Sequence, residues 1–190
     1  MRSKKMSYHS KSFVAVDPAK RSGWAIFLNG EYLDSGYVYV NTIKGARAIE
    51  ELMSKAKIYG IRLMVVEDSY PGGWVDNNGN YHKASYHTGK AIGICRGAWE
   101  QEARKRGFKI YAIKPSRWQK VLKIQGKRMK RAELKQMSVM VAKGVANKEI
   151  VFNDEADAIC IGLFYIKYLT NQWQNIIPFD RGHEIQSGNI

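Results

Sequence analysis

Cysteine is scarce in this sequence: Cys95 and Cys160 are the only two, and neither has a C-x-x-C partner. Both lie in apolar, helix-like stretches, so they read as reduced core residues of a cytosolic protein rather than a disulfide framework. Histidine is scarce too. His9, His82, His87 and His183 make no metal-ligand pattern, and His82 and His87, five apart, would fall on different faces of a helix. Zinc is therefore not expected. No stretch approaches the roughly 18 consecutive apolar residues of a membrane span, so no membrane segment is expected. Met1 to Lys11 is basic and polar, without the apolar run of a secretory signal. It reads as a loose basic arm, and a disordered tail without a role fits it equally.

Acids are the other shortage. Seventeen Asp and Glu stand against 31 Lys and Arg, a formal net charge of +14. An excess of that size points to a polyanionic partner, nucleic acid first. The 190 residues, 45% of them hydrophobic, are enough for one domain with a real core. The expected organisation is an arm over 1–11, a single domain over 12–170 and a polar, loosely packed tail over 171–190.

The chain is organised around the run Phe13 to Phe27. Four apolar residues lead to Asp17, Pro18 interrupts regular pairing, and Trp24 to Leu28 comes straight back. This predicts a strand buried on both faces with a carboxylate at its carboxyl tip, followed by a hairpin return. Taken alone, Asp17-Pro18 fits an ordinary turn better than a site. Glu31 to Val40 predicts a third antiparallel strand, joined through Asn29-Gly30, a strong two-residue hairpin signal. Ile43, Ala46, Ile49, Leu52, Met53 and Ala56 recur at helical spacing and predict an amphipathic helix ended by Gly60. Ile61 to Glu67 repeats the opening theme, an apolar strand ending in an acid. A right-handed crossover would lay it parallel to the first strand, so that Asp17 and Glu67 emerge side by side at one sheet edge.

Asp68 to Lys83 is rich in Gly, Asn and aromatics and is expected to be a long structureless loop. Ala84 to Arg106 predicts a long helix with a smooth stripe at Gly89, Gly93 and Gly97. Close packing on the chain's own sheet and a helix shared across a dimer both account for that stripe. A fifth strand, Phe108 to Ile113, precedes a short helix opened by Lys114-Pro115-Ser116. Around Gly126, Lys123, Lys127, Arg128, Lys130 and Arg131 crowd together. A solvated face would explain them, but they also carry much of the excess charge, which favours phosphate contact. Asp154 and Asp157 share one face at the start of the last helix. Helix capping and dipole complementation explain that pair, taken alone, better than catalysis does.

The four acids Asp17, Glu67, Asp154 and Asp157 could nevertheless meet. Clustered like charges are unfavourable without a counter-ion, and two Mg2+ or Mn2+ ions would resolve them. At this point the sequence resembles the RuvC-like Holliday junction resolvases of the ribonuclease H-like superfamily over roughly Phe13 to Leu169. The anchors are Val16-Asp17-Pro18 with Gly23, Val65-Val66-Glu67, the helix of Gly89 to Gly97, and Asp154-Glu155-Ala156-Asp157-Ala158. The resemblance implies an α/β fold with a five-stranded mixed sheet, three antiparallel strands then two parallel, flanked by helices. It implies Asp17, Glu67, Asp154 and Asp157 as catalytic metal ligands for two Mg2+ or Mn2+ ions, and Tyr70 as an aromatic set against distorted bases. Lys114, Arg117, Lys120, Lys123, Lys127, Arg128, Lys130 and Arg131 would contact DNA. The implied activity is paired nicking of four-way DNA junctions in recombination and repair by a homodimer, in the cytoplasm, in the host cytoplasm for a phage protein, or in an organelle. Ala19 departs from the family's usual glycine, and the segment after Glu67 is unusually long. A related nuclease acting on RNA–DNA hybrid and a non-cleaving DNA-binding protein are the alternatives.

Overall fold

The computed structural model describes residues 11–68, 74–75, 81–82, 85–122 and 129–170. Strands β1 (Phe13–Asp17), β2 (Arg21–Leu28) and β3 (Glu31–Tyr39) form an antiparallel meander. Asn29 and Gly30 turn the second hairpin with φ of 55° and 91°, the doubly positive geometry of a tight two-residue turn. Helix α1 (Ile43–Ile58) crosses to β4 (Leu63–Glu67), which lies parallel to β1. A small hairpin, β5 (Trp74–Val75) with β6 (Tyr81–His82), precedes helix α2 (Tyr86–Lys105). Strand β7 (Lys109–Ile113) then pairs parallel to β4. Helix α3 (Pro115–Trp118) runs into a 3-10 turn, Gln119–Val121, and α4 (Arg131–Ala146) and α5 (Asn153–Thr170) close the described chain. The five-stranded sheet has the order β3-β2-β1-β4-β7. This is the mixed sheet expected from the sequence.

The alternation of side chains along a strand splits the core into two layers. Phe13, Ala15, Ala25, Phe27, Leu63 and Val65 pack with α5 residues such as Ile159 and Tyr165. Val14, Val16, Ile26, Met64 and Val66 pack on the other side with Met53 of α1 and Trp99 of α2. Both cysteines are buried and unpaired, as expected. Among the described residues, no helix is long and apolar enough to cross a membrane.

Two expectations need correction, and one open alternative closes. The segment 68–83 is not wholly structureless, since Trp74 pairs with His82 and Val75 with Tyr81; Trp, Val and Tyr favour extended pairing over loop. In α1, Ile43 and Ala46 are exposed, and Gly45 takes the inward place instead. A methyl on Gly45 would run into the Tyr39 carbonyl, so the first turn is seated by a residue without a side chain. Of the two accounts of the glycine stripe, packing on the chain's own sheet does not hold at Gly93 and Gly97. Both are exposed, and a methyl at either would meet nothing within 4 Å. Tyr70, Lys123, Lys127 and Arg128, most of the expected arm and the whole tail lie outside the described residues.

Candidate active site

Period-two alternation decides where the first two acids go. Ala15 and Val65 face α5, so Asp17 and Glu67, two residues further along each strand, do the same. Parallel pairing of Val16 with Val66 sets the two acids next to each other at the carboxyl edge. Antiparallel pairing extends that row, because Asp17 pairs with Gly23 and Gly23 with Tyr37. A single line of side-chain positions therefore crosses the sheet: Tyr37, Gly23, Asp17, Glu67.

Helix α5 starts over this line. A methyl on Gly23 would overlap the Asp154 carbonyl and stand 2.6 Å from the Glu155 nitrogen. The bare glycine is what lets the helix start settle onto β2 beside Asp17. Asp154 and Asp157, in the first turns of that helix, then face the strand acids. The consequence shows at Asp17. Burial first, then Glu67, Asp157 and Asp154, push its carboxyl well above the usual carboxylate range, with Lys135 opposing them.

Three neighbours that no local sequence pattern singled out hold the other acids. The Lys135 ammonium of α4 lies 2.9 Å from Asp157 Oδ2. Burial disfavours its charge, but Asp157, Asp17 and Asp154 together outweigh that and hold it protonated. Arg21 Nε donates to Asp154 Oδ2 at 2.7 Å. The Trp118 indole donates to Glu67 Oε2, also at 2.7 Å. These partners are 22, 133 and 51 residues from their acids. Such separations leave no motif to read. Buried Glu155 takes a different part. It accepts from Ser35 Oγ at 2.6 Å and pairs with Lys148 at 3.0 Å, tying the start of α5 to β3.

In this arrangement, no three His, Cys, Asp or Glu side chains among the described residues are grouped so as to hold an ion. Lys135, Arg21 and Trp118 occupy oxygens of three of the four carboxylates. The donor chemistry still fits a hard divalent cation: oxygen ligands only, four carboxylates against one ammonium and one guanidinium. The basic residues border this rim. Lys114, Arg117 and Lys120 are exposed on the segment that follows β7, whose last residue, Ile113, pairs with Glu67. Lys130 and Arg131 are exposed at the start of α4, and Arg131 lines one open depression of about 460 Å³ with Lys135 and Asn153.

The sheet and its helices have the ribonuclease H-like fold of RuvC. Two solved structures of Thermus thermophilus RuvC resemble the chain. The one in complex with a Holliday junction substrate is 14% identical with a TM-score of 0.59, the match covering 85% of this chain and 96% of that one. The other is 15% identical with a TM-score of 0.58, covering 84% and 96%. The yeast mitochondrial Holliday junction resolvase matches at 12% identity with a TM-score of 0.42, covering 86% and 81%. No protein-family model matches the chain, and no curated protein does.

Proposed function

We propose that this chain is a divalent-metal-dependent endonuclease that acts as a homodimer on four-way DNA junctions. The observation that carries the reading is convergence: strand pairing sets Asp17 beside Glu67, and bare Gly23 seats the start of α5, with Asp154 and Asp157, next to them in a protein of net charge +14. The fold shared with RuvC supports the same reading.

Asp17, Glu67, Asp154 and Asp157 would hold two Mg2+ or Mn2+ ions, which supply activation of a water and charge stabilisation at a phosphodiester. Lys135, Arg21 and Trp118 each hold one carboxylate in place, at Asp157, Asp154 and Glu67. Lys114, Arg117, Lys120, Lys130 and Arg131, with Lys123, Lys127 and Arg128, carry the DNA backbone, and Tyr70 meets distorted bases. The test is a synthetic four-way junction incubated with and without Mg2+, beside duplex and RNA–DNA hybrid. Symmetric nicks in the junction alone support the reading. Preferential cutting of the hybrid, or no metal-dependent cutting at all, would overturn it.

Two outcomes follow from particular residues. Trp118→Phe keeps the buried ring but removes the donor to Glu67. Metal affinity should fall about 10- to 100-fold, as is usual when the partner of a ligand is lost, measured by Mn2+ titration. Gly97→Gln adds a side chain to the open stripe of α2. The variant should be monomeric in sedimentation, while the monomer itself gains about 1 kcal/mol from helix propensity. Unchanged dimers in Gly97→Gln would exclude α2 as the contact.

A further inference from the structure

The row that carries Asp17 and Glu67 begins, at its other end, with an aromatic residue. Tyr37 and Tyr39 stand on the α5 face of β3, the edge strand, and remain 41% and 48% exposed. Their rings meet edge to face at 5.9 Å. Phe152, just before α5, meets Tyr37 in the same way at 4.5 Å. Arg21 lies over Phe152, its guanidinium carbon 3.9 Å from the ring centroid, while it holds Asp154. The Tyr39 side chain also interacts with that guanidinium.

We propose that Tyr37 and Tyr39, braced by Phe152 and Arg21, form a stacking platform on which one exposed tyrosine ring takes an unstacked base of the DNA strand being cut. This rests on the nuclease reading above. Two features argue for DNA as the occupant. The first is position: Tyr37 is two strand spacings from Asp17, on the order of 10 Å, so a base next to the reacting phosphate comes within reach. The second is charge. Arg21 lies within the patch, and Lys20, the residue before it, is exposed where its carbonyl accepts from Val40, next to Tyr39. Aromatic faces take any base, but only one that has left its stack. A platform here would favour branched or distorted DNA over intact duplex without reading sequence. Arg21 couples the platform to the site, since one guanidinium serves both Phe152 and Asp154.

The test compares the full-length protein with the double variant Tyr37→Ser, Tyr39→Ser, in the absence of divalent metal. The probes are a four-way junction with 2-aminopurine at the branch and a fully paired duplex. The serine pair should weaken junction binding about 5- to 150-fold, the usual worth of one stacked base. It should also lose quenching of the 2-aminopurine and leave duplex binding unchanged. The pair Tyr37→Phe, Tyr39→Phe keeps the rings and should bind the junction as the wild type does, which separates stacking from folding. Equal junction affinity and quenching in the serine pair overturns the proposal. So does an equal loss on junction and duplex, or a self-association abolished only by the serine pair, which would assign the patch to a second copy. A wild type that binds the junction through these residues but cuts nothing would overturn the nuclease reading alone.

Discussion

Asp17→Asn is expected to lower metal-dependent cleavage by about 10²- to 10³-fold, the scale on which a group that stabilises transition-state charge acts. Junction binding should survive or tighten, because a negative charge leaves the rim. The same substitution should stabilise the metal-free protein. The Asp17 carboxyl has its pKa raised by burial and by three neighbouring acids. The folded state therefore holds a proton that the unfolded chain releases near the usual value of 3.8. Stability falls as pH climbs from that value through the raised one. Asparagine has nothing to ionise and escapes this loss. In a chain of this size, each kcal/mol relieved is worth about 2–4 °C in Tm. Mg2+ or Mn2+ should raise the Tm of the wild type, since binding to the folded state stabilises it, and should barely move Asp17→Asn. Thermal melts with and without metal, across pH 4 to 8, check all of this together. Normal cutting by Asp17→Asn in Mg2+ would remove Asp17 from the site.

Gly23→Val is expected to disable the protein by a different route, through the backbone. Any Cβ at this position overlaps the Asp154 carbonyl and crowds the Glu155 nitrogen. Main chain at the start of a helix cannot rotate aside as the end of a long side chain can, so α5 must shift. Overpacking of this kind costs about 1–3 kcal/mol. The shift also carries Asp154 and Asp157 away from Asp17 and Glu67, so cleavage should fall about 10²-fold or more, as displacement of catalytic groups by an ångström does. The diagnostic signature is a weakened response of Tm to Mn2+ in a variant that still melts cooperatively. Full activity in Gly23→Val would mean that the approach of α5 to β2 is not what assembles the acids. Alanine should show the same effects in milder form.

Strand identity and order of appearance were legible because they follow from local chemistry. An apolar run of strand length, an Asn29-Gly30 turn and a helix between two such runs leave few topologies open. The resemblance to RuvC-like resolvases pointed to the same sheet, and the solved structures share it. Less was legible in α1, where spacing alone put Ile43 and Ala46 inside and overlooked Gly45, since a glycine carries no hydrophobic signal. The glycine stripe of α2 allowed packing within the chain, and only the observed open space around Gly93 and Gly97 removes that option. The hairpin of β5 and β6 was hidden among the turn-forming residues around it.

Local chemistry dictates that two strands each end in an acid and that a helix opens with two more. Alternation and propensity are properties of neighbours along the chain, and neighbours can be read. Packing between distant segments is what brings Lys135 to Asp157, Arg21 to both Asp154 and Phe152, and Trp118 to Glu67. It also puts Tyr37, Gly23, Asp17 and Glu67 on one line across the sheet. Those relations depend on register and on how closely α5 can approach β2. Both are set by packing between segments far apart in the chain, where no local pattern records them.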